Sequence, residues 1–205
     1  MKQIIYFLTL LTILSCKNTK VMSSDISNEN NNTTNAQSEI AGRPKDSILQ
    51  QLRKENDLVL AFEVETVAWG RTSTYKILAK KGNEWKGYTA FVTRTPQRNN
   101  PGLTSVQVNN QQAEQVWEFF RNNKISTIPG DKGENFCDDS SKGCNINDGT
   151  VWHLLVITKD SISAPTYYEP RFFEKCCPGN QQRKLFLEAV DKLSALVGGA
   201  EEEES

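Results

Sequence analysis

The chain has 205 residues, and its 24 basic and 25 acidic side chains give a formal net charge of −1. Lys and Arg form no concentrated basic block. This argues against nucleic-acid binding, which needs several cations on one face to neutralise phosphates. The length allows one domain with a hydrophobic core of its own, preceded by a spacer.

The N-terminus has the pattern of an export signal. Lys2 is followed by an apolar run at residues 4–14, which is too short to span a bilayer but suits the core of a secretory signal. Ile13 and Ser15 place an aliphatic residue three positions before Cys16 and a small residue directly before it. In this respect the segment resembles the lipobox of bacterial lipoproteins. The resemblance implies removal of residues 1–15 and attachment of acyl chains, palmitate among them, to Cys16.

Residues 16–44 are predicted to be a flexible tether. They are rich in Asn, Ser and Thr and show no apolar period, so they bury too little surface to offset the entropy of ordering. Lys17 and Asn18 follow the lipid-bearing Cys16 without the Asp that favours inner-membrane retention. We therefore expect an outer-membrane lipoprotein that faces the periplasm and is held by its lipid anchor. An ordinary cleaved signal with an incidental Cys is the alternative.

From residue 45 the pattern becomes that of a folded domain. A short helix is expected from Asp46 or Ser47, and apolar residues then alternate through residues 58–65, as in a strand. A second strand near 73–79 and a third over 85–95 flank a turn at residues 81–83, and a short strand is predicted at 103–108. The sequence thus begins with a meander of strands.

The second half predicts two long helices and a central strand. Asn109 or Asn110 caps a helix whose apolar stripe repeats with helical period, and Asn180 opens a last helix that ends near Gly198. Residues 150–158 are apolar on both faces, which favours a central position in the sheet. We predict a single α+β domain over residues 45–200, an antiparallel sheet of about six strands with two main helices on one face. An acidic disordered tail, residues 201–205, follows.

Four cysteines remain in the mature domain: Cys137, Cys144, Cys176 and Cys177. An even number in an exported chain favours disulfides, because the periplasm is oxidising. A bridge between the neighbours Cys176 and Cys177 would be strained, so we expect both of them to bond to Cys137 and Cys144, in either order. Such bridges would hold the polar loop at residues 131–149 against the segment before the last helix. A zinc site and a redox-active pair are the alternatives, although neither the usual ligand spacing nor a Cys-x-x-Cys motif is present.

Three further groups are candidates for function. His153 is the sole histidine and lies mid-strand, where a packed or cross-strand-paired imidazole is expected. Asp138, Asp139 and Asp148 are weak calcium candidates, since their loop lacks the EF-hand spacing. An aromatic group before the last helix could form a binding surface or close the end of the sheet; its members are Tyr167, Tyr168, Phe172 and Phe173.

No catalytic motif, cofactor signature or metal-ligand spacing is evident, so no catalytic residue or cofactor is predicted. The arrangement resembles small lipoprotein domains of Bacteroidota, a likeness that implies no activity. The expected function is a non-enzymatic envelope module that binds another envelope protein. An inhibitor of an envelope hydrolase, or an enzyme that uses His153 or a cysteine thiol, is the alternative.

Overall fold

One antiparallel sheet forms the centre of the domain. The structure, a computed structural model, describes residues 46–66, 72–93, 102–131, 137 and 143–198. The order of the strands is β4-β3-β2-β1-β5-β6, and β7 also pairs with β5. The strands are β1 Leu58–Thr66, β2 Thr72–Lys81, β3 Glu84–Thr93, β4 Gly102–Val106, β5 Thr150–Thr158, β6 Ile162–Ser163 and β7 Thr166–Tyr168.

Side-chain period and turn chemistry explain the sheet. The β2–β3 hairpin turns at Gly82 and Asn83, and Gly82 has φ +59°, a conformation that glycine adopts without steric cost. β5 lies between β1 and the pair β6 and β7, so the most apolar strand is interior, as its sequence predicts. Because alternate residues point to opposite faces, the sheet has two apolar sides and needs cover on both.

The described residues form four α-helices: α1 Asp46–Glu55, α2 Asn110–Asn122, α3 Pro170–Cys176 and α4 Gln181–Val197. We call the side that carries Leu60 and Phe62 the first face, and the side that carries Val59 and Ala61 the second face. α2 and α4 pack on the first face, where Phe120 and Phe186 are fully buried. α1 covers part of the second face through Ile48, Leu49 and Leu52.

Side-chain caps fix where the two long helices begin. The Asn109 Oδ1 atom accepts from the Gln112 amide at 3.1 Å, and the Asn180 Oδ1 atom accepts from the Arg183 amide at 2.9 Å. A cap of this kind satisfies an N–H group that has no intrahelical partner, and it contributes about 1 kcal/mol. Both asparagines occupy the positions that the sequence predicts.

The α+β class and the antiparallel sheet are confirmed, and three details differ from expectation. Within the described residues the sheet has seven strands rather than about six, because Ala164 and Pro165 separate the short strands β6 and β7. The N-terminal helix packs on the second face, so the sheet is covered by helices on both sides. α3 was not predicted, since its seven residues are too few to show a clear helical period.

The predicted signal and tether (1–44) and the acidic tail (201–205) lie outside the described residues. In the part of the chain that the structure describes, no helix is long and apolar enough to cross a membrane.

Candidate functional site

An open cleft lies on the first face, at the end of the sheet away from α2 and α4. It is formed by two adjacent cross-strand rows, each contributed by β1, β2, β3 and β4 in turn. One row is Val64, Thr74, Phe91 and Gly102, and the other is Phe62, Lys76, Thr89 and Thr104. We call these eight residues the cleft. Its volume of about 440 Å³ lies within the range of small-ligand pockets.

The cleft combines an apolar base with polar groups that lack partners. Phe62 is buried, whereas Phe91 is 55% exposed because its cross-strand neighbour Gly102 has no side chain to cover the ring. Among the residues that the structure describes, Lys76 has no ion pair, and the hydroxyls of Thr74, Thr89 and Thr104 make no hydrogen bond. An apolar surface with a few convergent polar groups is the usual composition of a binding site.

β4 forms one boundary of the cleft and is also an edge of the sheet. It is last in the strand order, so no other strand of the described residues lies against its outer side. All of its residues except Val106 are exposed, and none is charged. Leu103 points to the second face and is 39% exposed. Edge strands usually carry charges or proline that oppose pairing with another chain, and β4 has neither.

The other boundary of the cleft is closed by aromatic packing. Trp152 follows Val64 in the same cross-strand row, and its ring lies 5.1 Å from that of Phe62. Arg171, from α3, lies over the Trp152 ring at 5.5 Å. The cleft therefore ends at β5 and opens toward β4.

Two disulfides connect the loop before β5 to the end of α3. Cys137 bonds Cys177 and Cys144 bonds Cys176, with Cα–Cα distances of 5.6 and 6.1 Å. The expected disulfides are confirmed, and the structure selects the nested connectivity from the two that the sequence left open. The Sγ atoms of Cys137, Cys144 and Cys177 lie within 4.8 Å of one another. Since all four sulfurs are paired, none is a thiolate that could ligate zinc.

A buried arginine supports this disulfide region. Arg183, at the start of α4, has an exposed fraction of 0%. Its Nη2 donates to the Cys177 carbonyl at 2.6 Å, and its Nε donates to the Glu174 carboxylate at 3.0 Å. A buried guanidinium needs such partners because its desolvation is costly. Arg183 therefore ties α4 to the residue at which one disulfide ends.

Asp131 lies near Arg183 and is half-buried. Burial raises its pKa from 3.8 to about 6, opposed by the charge of Arg183 and by a hydrogen bond from the backbone of Tyr168. The Oδ2 atom of Asp131 is buried and has no hydrogen-bond partner among the residues that the structure describes. Burial also raises the pKa of the Tyr167 phenol, which donates to the Pro129 carbonyl at 2.9 Å.

A polar cluster lies on the second face around His153. The cross-strand neighbour of His153 is the buried Glu63, and its Nε2 atom lies 3.5 Å from a carboxylate oxygen of Glu65. Nδ1 lies 2.9 Å from the Thr166 hydroxyl, which itself donates to the Ala164 carbonyl. A hydroxyl has one proton, so it accepts from His153, and Nδ1 carries the hydrogen. The remaining Nε2 atom therefore faces a carboxylate rather than a hydroxyl or thiol.

The four aromatic candidates do not form one exposed surface. Tyr167 and Phe173 are buried, and the Tyr167 ring packs on Phe186 at 4.6 Å. Tyr168 is partly buried and accepts from the Gly149 amide at 3.0 Å. Phe172 is partly buried, with its ring 5.1 Å from that of Phe173. Their packing against one another and against Phe186 closes the end of the sheet where β7 leads into α3.

The remaining candidates are dispersed or lie beyond the described region. Cys16, Asp138 and Asp139 fall outside the described residues. Asp148 is exposed, with φ +61°, at the turn into β5. Among the described site candidates, the structure therefore brings together the four cysteines, and it packs Tyr168 and Phe172 against Phe173 without forming one exposed surface.

Sequence reasoning missed the cleft, Asp131 and Arg183. Lys76 and Phe91 occur in alternating strand patterns, where a cation and a single aromatic residue are unremarkable. Only the pairing of β2 with β3 and of β3 with β4 puts them beside Thr104 on one face. Comparison with known proteins finds no matching family model and no matching curated relative.

Proposed function

We propose that this protein is an exported, lipid-anchored envelope protein whose single domain is a non-enzymatic module that binds another envelope protein. The cleft, together with the edge of β4, is the proposed recognition surface. The observation that carries the proposal is the exposed Phe91 between an apolar base and the uncharged edge strand β4, whose outer side faces no other strand among the described residues. Rigid scaffolds that present an aromatic anchor in a pocket are typical of protein-binding surfaces.

Export is supported by the two disulfides, since disulfides persist in oxidising compartments and are rare in the cytosol. Anchoring is supported by the signal pattern that ends at Cys16. Several acyl chains on one residue would hold the protein durably, because each buried methylene contributes about 0.8 kcal/mol.

The binding surface can be tested by site-specific photocrosslinking in intact cells. We expect a photoreactive amino acid at Thr104 to give discrete crosslinked products, and the same group at Glu188, on the exposed side of α4, to give none of them. Phe91→Ser should remove the Thr104 products while the protein remains folded, since that ring is largely exposed. Identical products from both positions would contradict a specific surface in the cleft.

The anchor can be tested by metabolic labelling with an alkyne analogue of palmitate. The chain should incorporate the label and partition into the membrane fraction, and Cys16→Ala should abolish both. Cys144→Ala is the matched control, because its sulfur is engaged in a disulfide. A labelled or membrane-bound Cys16→Ala variant would contradict lipidation at this residue.

The enzymatic alternative depends on His153. Its cluster with Glu63 and Glu65 is the observation that favours it, since paired carboxylates and an imidazole can transfer protons. A cysteine thiol is not available in the oxidised domain. The alternative would gain support if His153→Gln removed a measured turnover and left the thermal unfolding transition unchanged.

A further inference from the structure

The chemistry of the cleft allows the class of partner segment to be named. We propose that the cleft binds an extended peptide segment in which an apolar side chain lies next to an acidic one. This inference rests on the proposed function and deepens it. The apolar side chain would lie against Phe91 and Val64, and the carboxylate would pair with Lys76.

Charge complementarity identifies the acidic residue. Lys76 is the only charged residue of the eight in the cleft, is partly buried and has no ion pair with any described residue. Its cross-strand neighbours on this face are Phe62 and Thr89, so no carboxylate flanks it within either row. A partly desolvated ammonium group beside an apolar base gains more from an anionic partner than an exposed surface lysine does.

The shape of the surface favours a peptide over a lipid. Four strands span about 14 Å from β1 to β4, which matches about four residues of extended chain. Thr74, Thr89 and Thr104 line this span, and their hydroxyls have no hydrogen-bond partner in the described part of the chain. These hydroxyls could bond to a peptide backbone but not to an acyl chain. Beyond them, the uncharged edge of β4 offers main-chain groups to a part of the partner that turns to run along this strand.

The test uses the full oxidised chain and a phage-displayed library of random short peptides. Selection on the wild type, with counter-selection on Phe91→Ser, should enrich peptides that carry Asp or Glu beside an aromatic or aliphatic residue. An enriched peptide should bind the Phe91→Ser variant at least about tenfold more weakly. It should also shift the amide resonances of Thr89 and Thr104 in NMR spectra.

Charge reversal distinguishes a specific ion pair between Lys76 and the acidic residue of the peptide from general electrostatic attraction to the protein. Lys76→Glu should weaken binding of the enriched peptide by about tenfold. The same variant should bind more tightly a peptide in which Lys replaces the acidic residue. Lys86→Glu is the matched control, because it reverses an exposed lysine on the second face of β3, and it should leave both affinities unchanged.

Three results would overturn the inference: enrichment of basic or uncharged peptides, equal binding by both lysine variants, or displacement of the cleft resonances by palmitate alone. If photocrosslinking at Thr104 nevertheless depends on Phe91, the proposed function stands and only the partner class is wrong. If both experiments fail, the proposed function fails as well.

Discussion

At the scale of single residues, Arg183 is the side chain on which the end of the domain most depends. Its guanidinium is fully buried and bonds to the Cys177 carbonyl and to Glu174. Arg183→Ala would remove the buried cation near the half-buried Asp131 and would leave Glu174 with only the exposed Lys184. Breaking a buried pair by removing one partner typically costs about 3 to 5 kcal/mol.

We therefore expect Arg183→Ala to lower the free energy of unfolding in urea by about 3 kcal/mol. Lys184→Ala is the matched control, since Lys184 approaches the same Glu174 carboxylate at 3.8 Å but is exposed. A surface pair contributes about 0 to 1 kcal/mol, so the control should change little. Equal losses in the two variants would show that the buried contacts of Arg183 are not important for stability.

Asp131 makes the stability of the folded state depend on pH. Its folded pKa of about 6 lies above the ordinary aspartate pKa of 3.8, so the folded state binds the proton more tightly than the unfolded state does. The stability that this provides is present below about pH 4 and is lost as the pH rises through about 6. A difference of that size corresponds to at most about 3 kcal/mol, and water around the half-buried group reduces it to about 1 to 2 kcal/mol.

Asp131→Asn should remove this loss, because an amide does not ionise. Between pH 4 and pH 7 the wild type should lose about 1 to 2 kcal/mol relative to the variant in urea titrations. Asp160→Asn, at an exposed turn, serves as the control and should follow the wild type. If the unfolding free energies of the wild type and Asp131→Asn changed in parallel with pH, the pH dependence would not come from Asp131.

At the scale of secondary structure, periodicity and caps made the fold predictable. The alternating residues of β1, the stripe on α2 and the two capping asparagines are local signals, and each is satisfied in the structure. The cleft was not predictable, because Lys76, Phe91 and Thr104 become neighbours only through strand pairing. Burial of Arg183 was also hidden, since a sequence gives no sign that a helix-opening cation has internal partners.

The nested disulfides join the loop before β5 to the end of α3. Their contributions to the free energy of unfolding should not be independent. They span sequence separations of 40 and 32 residues, so while one bridge is intact the other closes a ring of only about eight residues. By the chain-entropy relation, the first bridge removed costs about 2.5 kcal/mol and the second about 4 kcal/mol.

Cys137→Ala with Cys177→Ala should therefore lose about 2.5 kcal/mol in denaturant unfolding, as should Cys144→Ala with Cys176→Ala. The fourfold variant should lose about 6 kcal/mol, more than the two pairs together. If the stability losses of the two pairs simply added up to that of the fourfold variant, or if removing the first bridge cost more than removing the second, the two bridges would not share one loop closure.

At the scale of the whole molecule, the hydrophobic core and the disulfides are spatially separate. The core cluster of the first face is built from the sheet with α2 and α4, and the cluster of the second face from the sheet with α1. Cys177 is buried but belongs to neither cluster. The sheet should therefore persist without the bridges, in contrast to small disulfide-rich domains that lack a sufficient core.

Reduction by a dithiol without denaturant should consequently leave the sheet folded. Hydrogen exchange should remain slow in β1 and β5, whereas the amides of residues 143–149 and 176–180 should lose protection, because the bridges no longer hold these segments together. Ligand binding in the cleft should survive, since none of its eight residues adjoins a cysteine. If β1 and β5 exchanged as rapidly as the segments around the cysteines, the disulfides would instead be a condition for the whole fold.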